Sequence, residues 1–236
     1  MSEAKLNVVL LRHTPNPEEL VAQSAKLCYS AASIDELQKR IESNDQAIFI
    51  EKLADMRHFS PFEHISFTFG VEGISRACSH QLVRHRLASY SQKSQRYVNE
   101  GRFAYIVPLS IKNTPMAVHY TGEEWLADKM AEIQKWYNEL VARGVPAEDA
   151  RFMLPNACET KIVVTMNARE LLHFFQHRCC NCAQWEIRDM AIEMLKLAKQ
   201  AAPTIFKNSG PSCVNDKCRE GKRSCGKMDE VRARFL

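Results

Sequence analysis

Two spacings of apolar residues alternate along the chain and predict both strands and helices. Over residues 65–71 the bulky side chains fall on every second position, as in a strand with one buried face. Residues 160–165 carry a continuous apolar run, which predicts a strand near the centre of a sheet. Residues 8–12 predict a further short strand before a proline-rich turn.

Apolar positions three and four residues apart predict helices over much of the remaining chain. Ser33, followed three residues later by Glu36, has the pattern of a capping box and marks the start of one of them. The predicted helices cover residues 18–28, 34–41, 47–58, 74–86, 123–142, 147–153, 168–177 and 183–201.

Strands and helices are mixed without an internal repeat, which predicts a single α/β or α+β domain over residues 1–207. From about residue 208 the composition shifts towards Gly, Ser, Cys and Lys. This shift predicts a separate C-terminal tail over residues 208–236.

The composition limits the classes of partner. A net charge of +4 over 236 residues is too small for a DNA-binding face. The first ten residues lack a signal-peptide pattern, and no apolar run approaches the roughly 18 residues that span a bilayer. We therefore expect a cytoplasmic protein without nucleic-acid or membrane partners, whose nine cysteines are thiols rather than a disulfide framework.

The positive charge is concentrated in one segment, residues 84–97, which reads R-H-R-L-A-S-Y-S-Q-K-S-Q-R-Y. No acidic residue occurs from position 74 to position 99. Guanidinium groups interspersed with hydroxyls and amides are the donors that bind anionic ligands. A solvated basic surface is the simpler interpretation, but the segment follows a predicted helix, so at least one cation among its first three residues is expected to face a cleft.

A second polar cluster follows the predicted central strand. On a helix beginning near residue 168, Arg169, His173 and His177 share one face. They form either a surface ridge or, with the nearby Cys179, Cys180 and Cys182, a metal site. The glutamate of a zinc-binding H-E-x-x-H motif is missing, since Phe174 stands there.

Three late cysteines, Cys213, Cys218 and Cys225, have the spacing C-x4-C-x6-C. With a fourth thiol from residues 179–182 they could hold zinc or an iron–sulfur cluster, and otherwise they belong to a flexible tail. A third cluster, H-F-S-P-F-E-H over residues 58–64, surrounds a turn fixed by Pro61. There is no glycine-rich phosphate loop.

Taken together, the motifs H-x-S-P-F-E-H, R-H-R-x7-S and N-A-R-E-L-x-H-F-F-x-x-R resemble those of the flavin-dependent thymidylate synthases. The signature of that family is matched by Arg84, His85 and Arg86, with Ser94 after seven residues. The resemblance extends from about residue 10 to about residue 206 and excludes the tail. It implies a central, mostly antiparallel sheet flanked by helices, with long helices after the signature loop.

The resemblance also implies an activity and its ligands. The reaction converts dUMP to dTMP, with methylenetetrahydrofolate as one-carbon donor and FAD, reduced by NADPH, as hydride source. It further implies a homotetramer with active sites shared between subunits. The implied flavin contacts are His58, Ser60, Glu63, Arg84, His85, Arg86, Gln92, Asn167, Arg169 and His173. The implied dUMP contacts are Gln81, Arg84, Gln92, Lys93, Ser94, Gln95, Arg96, Arg151 and Arg178.

Arg178 is the expected catalytic residue, because a guanidinium against the uracil imide edge favours a ring carrying negative charge. Gln92 stands where some members have a carboxylate, so we expect it to bind without proton chemistry. No metal is expected in the site, and Ser94 is expected to bind rather than attack. Two alternatives remain: a nucleotide- or RNA-binding module with a cysteine-bound zinc, and a cysteine-dependent thymidylate synthase.

Overall fold

The computed structural model describes residues 2–236, and its longer strands form one four-stranded sheet. The order in that sheet is β1-β2-β6-β3, and β4 pairs with β5 in a small separate hairpin. The strands are β1 (Asn7–His13), β2 (Ser66–Ser75), β3 (Ala88–Gln92), β4 (Pro115–Ala117), β5 (Tyr120–Thr121) and β6 (Glu159–Asn167).

Buried and more exposed side chains alternate along the two inner strands, β2 and β6. In β2, Phe67, Phe69 and Val71 are buried, whereas the residues between them are partly exposed. The predicted central strand is confirmed, because β6 has β2 on one side and β3 on the other. The predicted α+β class with a mostly antiparallel sheet is also confirmed.

Most of the predicted helices are present with small changes in their ends. The capping box of Ser33 and Glu36 is confirmed, and Thr121 and Glu124 form a second one. The helices are α1 (Pro17–Leu27), α2 (Ile34–Glu42), α3 (Ala47–Asp55), α4 (Arg76–Leu82), α5 (Leu109–Lys112), α6 (Gly122–Ala142), α7 (Ala147–Ala150), α8 (Ala168–Arg178), α9 (Trp185–Ala201), α10 (Pro203–Phe206) and α11 (Met228–Phe235). Short 3-10 turns occupy Ser60–His64, Arg151–Met153, Ser212–Val214 and Gly221–Arg223.

Three predicted helices are too long, and the one predicted over residues 147–153 gives way to the 3-10 turn Arg151–Met153 after Ala150. The helix predicted over residues 47–58 ends at Asp55, because Arg57 adopts a left-handed conformation with φ of 57°. The amide of His58 then donates to Leu53 O at 2.9 Å, the closing bond of a Schellman motif. The helix predicted over residues 74–86 covers only Arg76–Leu82, because Ser75 ends β2 and caps α4 by accepting from Cys78 N at 3.0 Å.

The contacts divide the chain into two compact units, each with its own packed residues. The first comprises residues 2–7, 71–84 and 90–163, and its cluster includes Phe103, Tyr105, Leu126 and Met130. The second comprises residues 8–70, 85–89 and 164–236. There Phe206 packs edge-on against Phe67 and Phe175, with ring centroids 5.3 and 5.9 Å apart.

The C-terminal residues are structured and belong to the second unit. Val231 and Phe235 on α11 are buried, and Lys199 Nζ donates to Phe235 O at 2.6 Å. The chain from Ser209 to the terminus therefore packs by its own apolar residues. Among residues 2–236, no helix is both long and apolar enough to cross a membrane.

Candidate active site

The three residues that open the signature segment follow α4 directly. Arg84 and Arg86 are exposed, whereas His85 between them is buried. The prediction that at least one cation of the three faces a cleft stays a prediction, because the buried residue is the histidine and both guanidinium groups are exposed and accessible for a ligand. Arg84 belongs to the first unit, and His85 and Arg86 belong to the second.

In the first unit, Gln92 is held by its side-chain amide. Its Nε2 donates to Ser79 Oγ at 2.9 Å and to Thr160 Oγ1 at 3.1 Å. These bonds use the donor end of the amide and fix the last residue of β3. They agree with the expectation that Gln92 has no proton chemistry, since an amide does not titrate in this range.

Lys93 lies between two buried carboxylates of the same unit. Its Nζ is 3.0 Å from Glu100 Oε1 and 3.3 Å from Glu159 Oε2. Burial alone would lower the pKa of Lys93, but the bonds and charges of Glu100 and Glu159 raise it. The lysine charge expected to meet the nucleotide phosphate is thus already balanced by two acids of the chain, which anchor the start of the serine loop.

The next residues of that loop form a tight turn. Ser94 Oγ accepts from Arg96 N at 3.2 Å, and Ser94 O accepts from Val98 N at 3.0 Å. Arg96 pairs with Glu148 on the surface at 3.1 Å. Both side chains of that pair are about half exposed, so Arg96 can exchange its partner for a ligand anion at small cost.

A cleft of about 370 Å³ in the first unit contains two of the predicted nucleotide contacts, Gln95 and Arg151. Arg76 and His80 also line it, and neither was among the predicted site residues. Their spacing of four residues places both on one face of α4, which could have indicated them from the sequence. The cleft therefore places two further basic side chains beside Gln95 and Arg151.

In the second unit, the first and third motifs meet at an ion pair. Arg169 NH1 contacts Glu63 Oε1, which joins the 3-10 turn Ser60–His64 to α8. His58 and Ser60, which are close to Glu63 in the sequence, are exposed. Asn167 caps α8, since its Oδ1 accepts from Glu170 N at 2.8 Å.

A hydrogen-bonded series of three side chains lies at the centre of the second unit. Arg178 Nε donates to His85 Nε2 at 3.0 Å, and His85 Nδ1 is 3.3 Å from Glu170 Oε1. Burial and the charge of Arg178 lower the pKa of His85, although Glu170 acts in the opposite direction. We therefore describe His85 as a neutral ring whose two nitrogens are both engaged.

Glu170 was not predicted. It stands three residues after the cap Asn167, where a glutamate is ordinary, so the local sequence contained no signal for a buried carboxylate. His173 lies beside it, with Nδ1 at 3.6 Å from the same Glu170 oxygen.

The metal hypotheses are not favoured by this geometry. Within residues 2–236, the one convergent group of possible ligands is His85, Glu170 and His173, whose atoms lie within 4.8 Å of one another. The Arg178 guanidinium bonded to His85 opposes a dication there. The same part of the chain brings no three of its cysteine sulfurs together in this way.

Comparison with known proteins agrees with the motifs. A model of the family described as thymidylate synthase complementing protein matches residues 9–204. The flavin-dependent thymidylate synthase of Geobacter sulfurreducens is 53% identical over 233 residues, covering 98% of each chain. That of Clostridium tetani is 49% identical, covering 98% of this chain and 97% of the relative. That of Pyrococcus furiosus is 42% identical, covering 89% of this chain and 87% of the relative. On these matches, this chain belongs to the flavin-dependent thymidylate synthase family.

Proposed function

We propose that this protein catalyses the reductive methylation of dUMP to dTMP, a methyltransferase reaction that oxidises NADPH. Methylenetetrahydrofolate is the one-carbon donor and FAD is the cofactor. The observation that carries the proposal is the match over nearly the full chain, at 53% identity, to a relative named flavin-dependent thymidylate synthase. The three motifs expected for the site lie within the matched residues.

The donor set fits a diphosphate-bearing flavin. Arg84, Arg86 and Arg169 are exposed cations, and Ser60 and His173 add exposed hydrogen-bond groups. FAD, when bound, supplies the hydride chemistry that no side chain can supply. Of the remaining proposed contacts, His58, Glu63, His85, Gln92 and Asn167, Glu63 pairs with Arg169, and Asn167 caps the helix that carries Arg169.

The proposed nucleotide contacts divide by unit. Gln81, Arg84, Gln92, Lys93, Ser94, Gln95, Arg96 and Arg151 belong to the first unit, and Arg178 belongs to the second. We infer that the arginines of the first unit among them hold the phosphate, and that Arg178 stabilises negative charge on the uracil ring. Such charge raises the electron density at the carbon that receives the methyl group.

A protein nucleophile is unnecessary in this proposal. Ser94 Oγ accepts a hydrogen bond from Arg96 N, and that contact does not activate a hydroxyl for attack. Four of the cysteines also lack activation. Burial raises the pKa of Cys158 to about 12 and that of Cys180 to about 11, and it raises the pKa values of Cys179 and Cys213 as well. Protonated thiols are poor nucleophiles.

We further propose a cytoplasmic homotetramer whose active sites are shared between subunits. Residues 1–207 would form the catalytic domain, and residues 208–236 would be an addition to it. Sedimentation of the holoenzyme tests the assembly: a monomer at assay concentration with full activity would contradict shared sites.

The test of the activity begins with the colour of the purified protein. We expect a yellow protein whose flavin absorbance is bleached by NADPH without oxygen, and which forms dTMP once dUMP and methylenetetrahydrofolate are added. A colourless protein containing stoichiometric zinc would support the binding-module alternative and overturn the proposal. Loss of turnover on thiol alkylation, with the flavin retained, would support a cysteine-dependent enzyme instead.

A further inference from the structure

We propose that Glu170 is a positioning residue that fixes the guanidinium of Arg178 through the ring of His85. The inference rests on the proposed function, because it assigns Glu170 a part in placing the catalytic arginine. Glu170 does not belong to the residues that the family motif implies for ligand contact.

The direction of each hydrogen bond in the series follows from chemistry. An arginine has only donors, so His85 Nε2, at 3.0 Å from Arg178 Nε, must be the acceptor. A neutral imidazole with an unprotonated Nε2 carries its proton on Nδ1. That proton points at Glu170 Oε1, 3.3 Å away, which can only accept. One arrangement of protons satisfies both bonds.

The helix places the two ends of the series on one face. Glu170, Phe174 and Arg178 are separated by steps of four residues on α8, so they form a single stripe. The ring of His85 lies over this stripe, with its centroid 4.9 Å from that of Phe174 in an edge-on arrangement. The imidazole therefore links a side chain from the first turn of α8 to the side chain of its last residue.

Glu170 is suited to hold the ring because it is itself fixed. Only 7% of its side chain is exposed, and its backbone amide is bonded to the cap Asn167. A buried carboxylate next to a ring N–H forms a stronger bond than a solvated one. Without it, the ring could exchange its proton between nitrogens, and a protonated Nε2 would oppose the Arg178 N–H.

Protonation of the ring would also break the bond to Arg178, because Nε2 would then carry a proton and could not accept. Charged or titratable groups near His85 include Glu170, His173 and Arg178 on α8, and Arg84 and Arg86 flank it in the chain. Burial and Arg178 lower the pKa of His85, and Glu170 raises it. Turnover should fall on the acid side as His85 becomes charged. Removing the carboxylate should move that acid limb to lower pH.

The test uses two variants of the full-length holoenzyme. Glu170→Leu removes the acceptor, and we expect turnover to fall by about 10- to 100-fold, the range found for hydrogen-bond partners behind metal ligands. Glu170→Gln keeps an acceptor but loses the charge, so it should retain more turnover than Glu170→Leu and show the displaced acid limb. Flavin content should be unchanged in both. The matched control is Glu193→Gln on α9, a partly exposed carboxylate that pairs locally with Lys196.

The result that overturns the inference is a flavin-loaded Glu170→Leu protein with turnover and pH profile like those of the wild type. If Glu170→Leu does not fold, an unshifted acid limb in Glu170→Gln overturns it equally. Nitrogen NMR of labelled histidine in the wild-type protein, assigned with His85→Gln, should show a neutral ring protonated on Nδ1. This measurement needs no turnover, so it tests the hydrogen-bonded series independently of the proposed function. Absence of dTMP formation by the wild type would refute the proposed function alone.

Discussion

Arg178 is half-buried at the end of α8 and is held from behind by His85 Nε2 at 3.0 Å. A guanidinium fixed in this way needs little reorganisation when charge develops on a bound ring. Its neighbours Arg169 and His173 are more exposed, which leaves them accessible to a ligand.

Arg178→Ala should lower turnover by at least about 100-fold, because it removes the proposed preorganised donor to the uracil ring. Flavin content should persist, since the proposed flavin contacts are other residues. Steady-state rates of dTMP formation, normalised to bound flavin, provide the measurement. Arg143→Ala, at an exposed position after α6, is the control. Near-normal turnover in the Arg178 variant would refute the catalytic role.

Lys93 has a different role, which the two flanking carboxylates define. Lys93→Met should lower the free energy of unfolding by about 3 kcal/mol, because it leaves Glu100 and Glu159 buried without a counter-charge. Lys93→Arg should retain most of the stability. Denaturant unfolding at neutral pH measures both; equal stability of the methionine variant and the wild type would contradict the anchoring role.

The same triad determines how stability depends on pH. The pKa of Lys93 is raised above its ordinary value of 10.5, so its contribution is fully present below that pH and is lost as the pH rises through the folded-state value. In Lys93→Met this alkaline loss of stability should be absent, which denaturant unfolding at high pH measures.

Among the elements, the long helix α6 shows how a local signal fixes a boundary. Thr121 Oγ1 accepts from Glu124 N at 3.2 Å, and Glu124 Oε2 accepts from Thr121 N at 2.8 Å. The hydrogen bonds to Thr121 lower the pKa of Glu124, which keeps the carboxylate charged at the positive end of the helix.

Thr121→Ala should lower stability by about 1 kcal/mol, the usual loss for an N-cap oxygen. Thr121→Ser keeps the oxygen and is the matched control. Thermal or denaturant unfolding of the two variants gives the comparison. If both lose the same stability, the methyl group of the threonine matters and the cap does not.

The strand β3 was not predicted, and its composition explains why. Ala-Ser-Tyr-Ser-Gln contains no β-branched residue and no large aliphatic one. It is a strand because it pairs at the edge of the sheet beside β6, and Lys93 N, just beyond it, donates to Lys161 O at 2.9 Å. Such pairing depends on residues far away in the sequence and leaves no local pattern.

For the chain as a whole, the C-terminal residues are part of the packed second unit. Val214, Val231 and Phe235 are buried within the second unit. Gly210, with φ of 153°, lies so close to Phe235 and Val214 that an added Cβ would be 3.1 Å from each. The tail is therefore packed rather than free.

Removing residues 208–236 should lower the stability of the second unit by several kcal/mol, because buried apolar side chains each contribute about 1.5–3 kcal/mol. The melting temperature of the truncated protein measures the effect. Deleting Leu236 alone, which is 72% exposed, is the control and should change little. A truncated protein with the same melting temperature as the full-length chain would support the flexible-tail interpretation.

The sequence alone determined the local features and the chemistry. The capping box at Ser33, the alternation in β2, the apolar run of β6 and the three motifs all depend on residues close together in the chain, so short-range periodicity and spacing predict them. The family followed from the motifs for the same reason: their residue types and spacings are preserved in the sequence itself.

Only the tertiary structure decided which partners those residues have. Lys93 meets Glu159, 66 residues away, and His85 meets Glu170 and Arg178, 85 and 93 residues away. Nothing near Lys93 or Glu170 in the sequence shows that its charge is buried or balanced, because burial and pairing arise when distant segments pack. The sequence predicted which groups could do the chemistry, and the packing determined which of them hold the others in place.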